Sequence, residues 1–82
     1  MKKLFYPAIF HIAEEGGYWV SFPDIPECLT DGDTYEETFS MAIDALDLAL
    51  SDKVKNHIPL PISSDVAQPN DGIVVMIPYN FN

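Results

Sequence analysis

Two prolines three residues apart, Pro23 and Pro26, do most to limit what this chain can fold into. Neither can donate a backbone hydrogen bond, so each interrupts a β-ladder. Ahead of them, Trp19, Val20 and Phe22 are aromatic or β-branched residues that fit the pleated surface of a strand. Behind them, Cys28 and Leu29 allow a second short strand, and Asp31-Gly32-Asp33 supplies a turn into a helix. Thr34 can cap that helix, with Glu37 three residues later closing a capping box.

The rest of the chain falls into place around this stretch. Leu4 to Ile12 reads as a strand with Tyr6, Ala8, Phe10 and Ile12 on one face and Phe5, Pro7, Ile9 and His11 on the other. Both faces are largely apolar, which predicts an inner strand with Pro7 near its start or at a bulge. Ala13-Glu14-Glu15-Gly16-Gly17 is a turn signal, so this strand and the aromatic one form a hairpin. A helix is expected from Tyr35 to about Asp52. Its sheet-facing stripe is Tyr35, Phe39, Ala42, Ile43, Leu46, Ala49 and Leu50. Met41, Ala45 and Leu48 form a separate apolar flank, open to two readings: packing under the Pro-rich loop, which is preferred, or contact with another chain.

Pro59, Pro61 and Pro69 make residues 56–70 an extended surface crossover. Asn70-Asp71-Gly72 then turns into Ile73-Val74-Val75-Met76-Ile77, an apolar run that reads as a fully buried strand parallel to the first. Tyr79 and Phe81 follow in a short tail whose two aromatics suggest docking. The expected architecture is α+β, ordered β-β-β-α-β: a four-stranded mixed sheet with one helix on a face. The bare sheet face then calls for a second copy or a partner protein.

Charge bears most directly on function. Four Lys+Arg stand against thirteen Asp+Glu, a net −9, and the chain has no arginine. Between Lys3 and Lys53 every charged side chain is acidic. Nucleic-acid affinity comes mainly from neutralising phosphates, so direct nucleic-acid binding by this domain is disfavoured and a basic protein partner is favoured. Cys28, the single cysteine, reads as a small apolar residue. His11, Cys28 and His57 lack metal-ligand spacing. No phosphate loop, cofactor motif or defensible Ser-His-Asp spacing is present, so neither an enzyme nor a cofactor-binding protein is expected. Asp24, Glu27, Asp31, Asp33 and Asp44 in principle suit a metal-dependent nuclease, but no base accompanies them to hold phosphates. No apolar run approaches the ~20 residues of a membrane span, and the basic tip lacks the core of a signal peptide. A cytoplasmic protein is the default expectation.

Certain motifs go further. Tyr6-Pro7-Ala8, Gly17-Tyr18-Trp19-Val20, Phe22-Pro23-Asp24-Ile25-Pro26-Glu27-Cys28 and Gly32-Asp33-Thr34 before an acidic helix resemble the HicB antitoxin family, from about Phe5 to Pro78. The resemblance implies a partial ribonuclease-H-like fold with the nuclease's catalytic acids lost. It implies a single HicB-like domain over residues 1–82; the C-terminal DNA-binding domain that family members often carry is expected to be absent from this chain, a departure from the family pattern. It also implies a type II antitoxin that covers the active-site histidine and RNA-binding surface of a small basic HicA-type toxin, and that oligomerises. On this reading Asp24, Glu27, Asp31 and Asp33 mimic phosphates, while Trp19, Ile25, Met41 and Leu48 are apolar anchors. The competing expectation is a stand-alone dimeric structural domain that binds no toxin.

Overall fold

The computed structural model describes residues 2–81. Four strands, β1 (Lys2–Ile12), β2 (Tyr18–Ser21), β3 (Leu29–Gly32) and β4 (Gly72–Phe81), and one helix, α1 (Tyr35–Lys55), follow the order β-β-β-α-β. The sheet order is β3-β2-β1-β4, so β1 is an inner strand as its two apolar faces predict. The hairpin turn uses Gly16 and Gly17 at positive φ, where a side chain would be strained.

Pro7 is tolerated inside β1 because of where its missing N–H points. Ile12 N–H donates to Asp71 O at 3.2 Å, so even-numbered residues of β1 bond toward β4 and odd-numbered ones toward β2. Pro7 therefore faces the β2 side, where pairing has already ended at Ile9↔Ser21. The ladder stops just before Pro23, as the prolines dictate.

Every neighbouring pair of strands is antiparallel, which corrects the expected mixed sheet and the expected parallel β4. The reason lies in the connection. Ser51, near the end of α1, shares a hydrogen bond with Tyr79 near the end of β4 (3.3 Å), whereas β4 begins beside His11. The linker must therefore run back along the helix, which adds one reversal to the crossover. A helix of 21 residues spans about 32 Å, and an extended Pro-rich segment covers that distance. Tyr6 OH donates to Pro61 O at 2.7 Å, and Ser64 donates from its N–H (2.9 Å) and hydroxyl to Asp24, so the linker is tied down midway. Burial and the nearby Asp24 carboxylate push the Tyr6 phenol above its usual range.

α1 is capped at both ends. Thr34 Oγ1 accepts from Glu37 N–H at 3.1 Å, and Glu37 Oε1 accepts from Asp33 N–H at 2.9 Å, one residue earlier than a standard capping box. At the far end His57 N–H donates to Val54 O and Ile58 N–H to Lys53 O, a Schellman closure with His57 at φ 58°. The buried stripe is Thr38, Ala42, Leu46 and Leu50. Thr38 satisfies its hydroxyl on Thr34 O, and Gly32 packs so closely that a Cβ there would collide with the Thr38 backbone.

The core lies between α1 and one sheet face: Tyr6, Ala8, Phe10, Val20, Ile77 and Tyr79, closed at one end by Phe22, Ile25 and Cys28. Two expectations for β4 need correction. The strand extends to Phe81, so Tyr79 is a core residue of the sheet and not part of a tail. Nor is the run 73–77 fully buried: Ile77 is, but Met76 on the opposite face is 46% exposed. That opposite face exposes Phe5, Trp19, Leu29 and Met76, and among the described residues no helix or further strand packs over it.

Candidate protein-binding surface

Trp19 occupies the middle of β2, paired with His11 on β1 and Asp31 on β3. The His11 imidazole stacks on its indole with centroids 3.7 Å apart and planes at 11°. His11 is itself held, because Nε2 and Ser21 Oγ share a 2.9 Å hydrogen bond. The indole is thus rigid yet 46% exposed, which is the condition of an interface anchor. Asp71 Oδ2 stands 3.8 Å from His11 Nδ1, so the fold assembles Ser21, His11 and Asp71 from three separate segments. Their separation in sequence hid this cluster. The Asp71 contact is longer than a hydrogen bond, and the Trp19 indole lies against the imidazole. The cluster's evident physical effect is to orient Trp19.

Beside Trp19 opens a cleft of about 430 Å³ lined by five carboxylate residues, Glu14, Glu15, Asp31, Asp33 and Glu37, and by no lysine. The hairpin turn brings Glu14 and Glu15, the end of β3 brings Asp31 and Asp33, and the first helical turn brings Glu37. Of these lining residues, Trp19, Asp31 and Asp33 are candidates from the sequence, and Glu14, Glu15 and Glu37 join them only through the fold. The available signal was topological: a β1–β2 turn and a β3–α1 turn fall at the same end of a meander.

A second groove, also about 430 Å³, runs between the start of β3 and the outer flank of α1. Glu27, Cys28, Leu29, Ala45, Leu48, Ala49 and Asp52 line it. Leu48 is 75% exposed, so the Pro-rich linker does not cover this flank, contrary to the preferred expectation. Glu27 pairs with Lys53 at 3.2 Å. Its own backbone N–H and that lysine hold its carboxyl below the usual range. Cys28 forms part of the floor, and burial, aided by Glu27, pushes its thiol up to about 11, so it is a neutral thiol at pH 7.

The remaining candidates separate. Ile25 is 1% exposed and packs in the core, so it is no surface anchor. Asp24 is engaged by Ser64 and fastens the linker. Met41 is exposed on α1 and lines neither cavity. Among the described residues, no three His, Cys, Asp or Glu side chains are grouped so as to hold a metal ion, and no helix is long and apolar enough to cross a membrane.

Comparison with known proteins agrees with the motifs. Residues 5–81 match the family described as HicB_like antitoxin of bacterial toxin-antitoxin system. The chain is 47% identical over 68 residues to Antitoxin HicB 1 of Photorhabdus laumondii, covering 83% of this chain and 44% of that protein. It is 44% identical over 63 residues to Antitoxin HicB of Escherichia coli K12, covering 72% of this chain and 46% of that protein. The chain therefore spans less than half the length of these curated relatives. In fold, 94% of it matches 69% of a chain from a toxin-antitoxin complex of Streptococcus pneumoniae, with TM-score 0.81 and 21% identity. A chain of a HicA3 and HicB3 toxin-antitoxin complex gives TM-score 0.67 and 24% identity, over 90% of this chain and 95% of that one.

Proposed function

The chain belongs to the HicB-like antitoxin family, and from that premise we propose that it neutralises a small, basic, HicA-type mRNA-cleaving toxin by covering the toxin's active-site and RNA-binding surface. The observation that carries the reading is the cleft. Five carboxylate residues line one end of the sheet beside a rigid, exposed tryptophan, and no cation lines it. A surface that binds RNA presents cations at phosphate spacing, and clustered carboxylates offer it the same charge. Exposed ion pairs contribute only about 0.2–1 kcal/mol each, so Trp19 and the Leu48 groove supply the apolar anchoring that tight neutralisation needs. The acidic surface acts on the toxin, and direct contact of this domain with nucleic acid is not part of the proposal.

The test is RNA cleavage by a purified HicA-type toxin, with and without this chain, across a salt series. Stoichiometric inhibition that weakens as salt rises is expected. Asp31→Lys with Asp33→Lys should slow association most at low salt, since charge steering acts mainly on the on-rate. Unchanged association at low salt would remove this cleft from the interface.

A second contact, between copies of the chain, is supported by the bare sheet face, where Phe5 and Met76 are both about half exposed (47% and 46%). We expect a concentration-dependent dimer in sedimentation equilibrium, shifted toward monomer by Met76→Lys. A Met76→Lys variant that dimerises like the parent would place the contact elsewhere.

A further inference from the structure

We propose that the free edge of β3 is a strand-pairing site, at which an extended segment of the basic partner adds to the sheet as a fifth strand. This deepens the toxin-binding reading above and rests on it. The alternation fixed by Ile12 N–H and Asp71 O continues across the sheet. Trp19 and Ser21 bond back toward β1, and Tyr18 and Val20 bond to Gly32 and Thr30 of β3. The backbone N–H and C=O groups of Leu29 and Asp31 therefore point off the edge, and among the described residues nothing accepts from or donates to them.

The opposite edge is treated differently. On β4 the outward groups belong to Gly72, Val74, Met76, Pro78 and Asn80. The Gln68 side-chain amide donates to Gly72 O at 2.7 Å and accepts from Val74 N–H at 3.2 Å, which copies what a paired strand would do. Pro78 has no N–H to offer. One edge thus carries a plug and a proline, the usual protections against unwanted pairing, and the other carries neither.

The surroundings of β3 specify the chemistry of the added strand. The Leu29 and Asp31 side chains lie on the open sheet face in register with Ser21 and Trp19. On the helix side, the groove of Ala45, Leu48 and Ala49 adjoins Leu29, and at the far end of β3 the cleft adds Asp33 and Glu37. An incoming strand therefore places Lys or Arg beside Asp31 and an apolar side chain in the groove, with main-chain bonds supplying affinity and alternate side chains supplying specificity. Charge selects a basic partner here over a second copy of this chain, which carries net −9.

The experiment compares Leu29→Pro with Leu29→Ala in neutralisation of the same purified toxin. Both remove the side chain, but only proline removes the outward N–H, which no internal bond uses. Leu29→Pro should require about tenfold more chain for half-inhibition than Leu29→Ala, with an unchanged circular dichroism spectrum. Equal potency of the two would overturn the edge proposal while leaving the antitoxin reading intact. Failure of the unmodified chain to inhibit would instead overturn the antitoxin reading. Should Leu29→Pro not fold, amide exchange on the unmodified chain decides. Leu29 and Asp31 N–H groups should be slowed by toxin about tenfold or more if they gain partners, and exchange at the free-chain rate would overturn the proposal.

Discussion

If toxin binds at the acidic cleft as proposed, Trp19→Ala should weaken that binding by about 2–4 kcal/mol, roughly 30- to 1,000-fold in Kd, because it removes the largest exposed side chain beside the cleft. Four features put this effect above that of any single carboxylate. The indole is presented at 46% exposure, so it loses water on contact. Its conformation is set in advance by the 3.7 Å stack on His11, so binding costs it little rotamer freedom. It stands in register with Asp31, so the apolar contact and the charge contact share one site. Finally, an exposed ion pair offers only about 0.2–1 kcal/mol. The fold should be little affected, since Trp19 lies on the face opposite the core. Calorimetric titration of toxin into the variant measures the loss directly, and thermal denaturation of the free chain shows whether folding survives. His11→Ala offers a graded control. It keeps the indole but removes the stack, so its loss should fall between wild type and Trp19→Ala. A Trp19→Ala chain that binds as tightly as the parent would move the interface off this cleft, toward the Leu48 groove.

How much of this was legible in the sequence depended on whether the signal was local. The stop before Pro23, the Thr34–Glu37 cap and the inner position of β1 were readable, because proline chemistry, capping and two-faced apolarity act within a few residues. Asp31-Gly32 was misread as a turn. Its strand character comes from pairing with Trp19 and Tyr18 and from Gly32 lying against Thr38, neither of which a local window contains. The helix outran its expected end at Asp52 because His57, and not glycine, takes the positive-φ position of the closing motif. The direction of β4 was lost for a similar reason. Whether a crossover contains one reversal or two depends on where the linker is tied, and Tyr6–Pro61 and Asp24–Ser64 are contacts across many residues.

The site was legible in the same partial way. Trp19, Asp31 and Asp33 stood out as candidates because an aromatic strand meets an acidic turn in sequence, and they line the cleft together. Glu14, Glu15 and Glu37 needed the meander to close. Ile25 and Asp24 share the motif Phe22-Pro23-Asp24-Ile25-Pro26 but serve the fold, one as core and the other as the linker's anchor. A motif built on two prolines marks a loop that must be held in shape, and part of its composition goes to holding it.

Leu46→Ala and Leu48→Ala, two residues apart on one helix, should separate stability from binding. Leu46 is fully buried at the centre of the Thr38-Ala42-Leu46-Leu50 stripe, so truncation loses its transfer energy and leaves a cavity, about 2–5 kcal/mol. At roughly 0.05–0.15 kcal/mol per residue a domain of this length holds only about 4–12 kcal/mol in all. The free Leu46→Ala chain should therefore melt about 10 °C or more below the parent. Leu48 is 75% exposed, and its truncation should change stability by less than about 0.5 kcal/mol. Toxin acts on the two variants differently. If, as proposed, toxin binds the folded chain alone, a hundredfold excess over Kd adds about 2.7 kcal/mol of apparent stability, enough to bring Leu46→Ala much of the way back to the free parent. Leu48→Ala has no such loss to recover, and its defect should appear as weaker neutralisation at concentrations near and below Kd. If toxin fails to raise the melting temperature of Leu46→Ala while still raising that of the parent, the cavity has altered the binding surface itself, and the core and the acidic face are not independent.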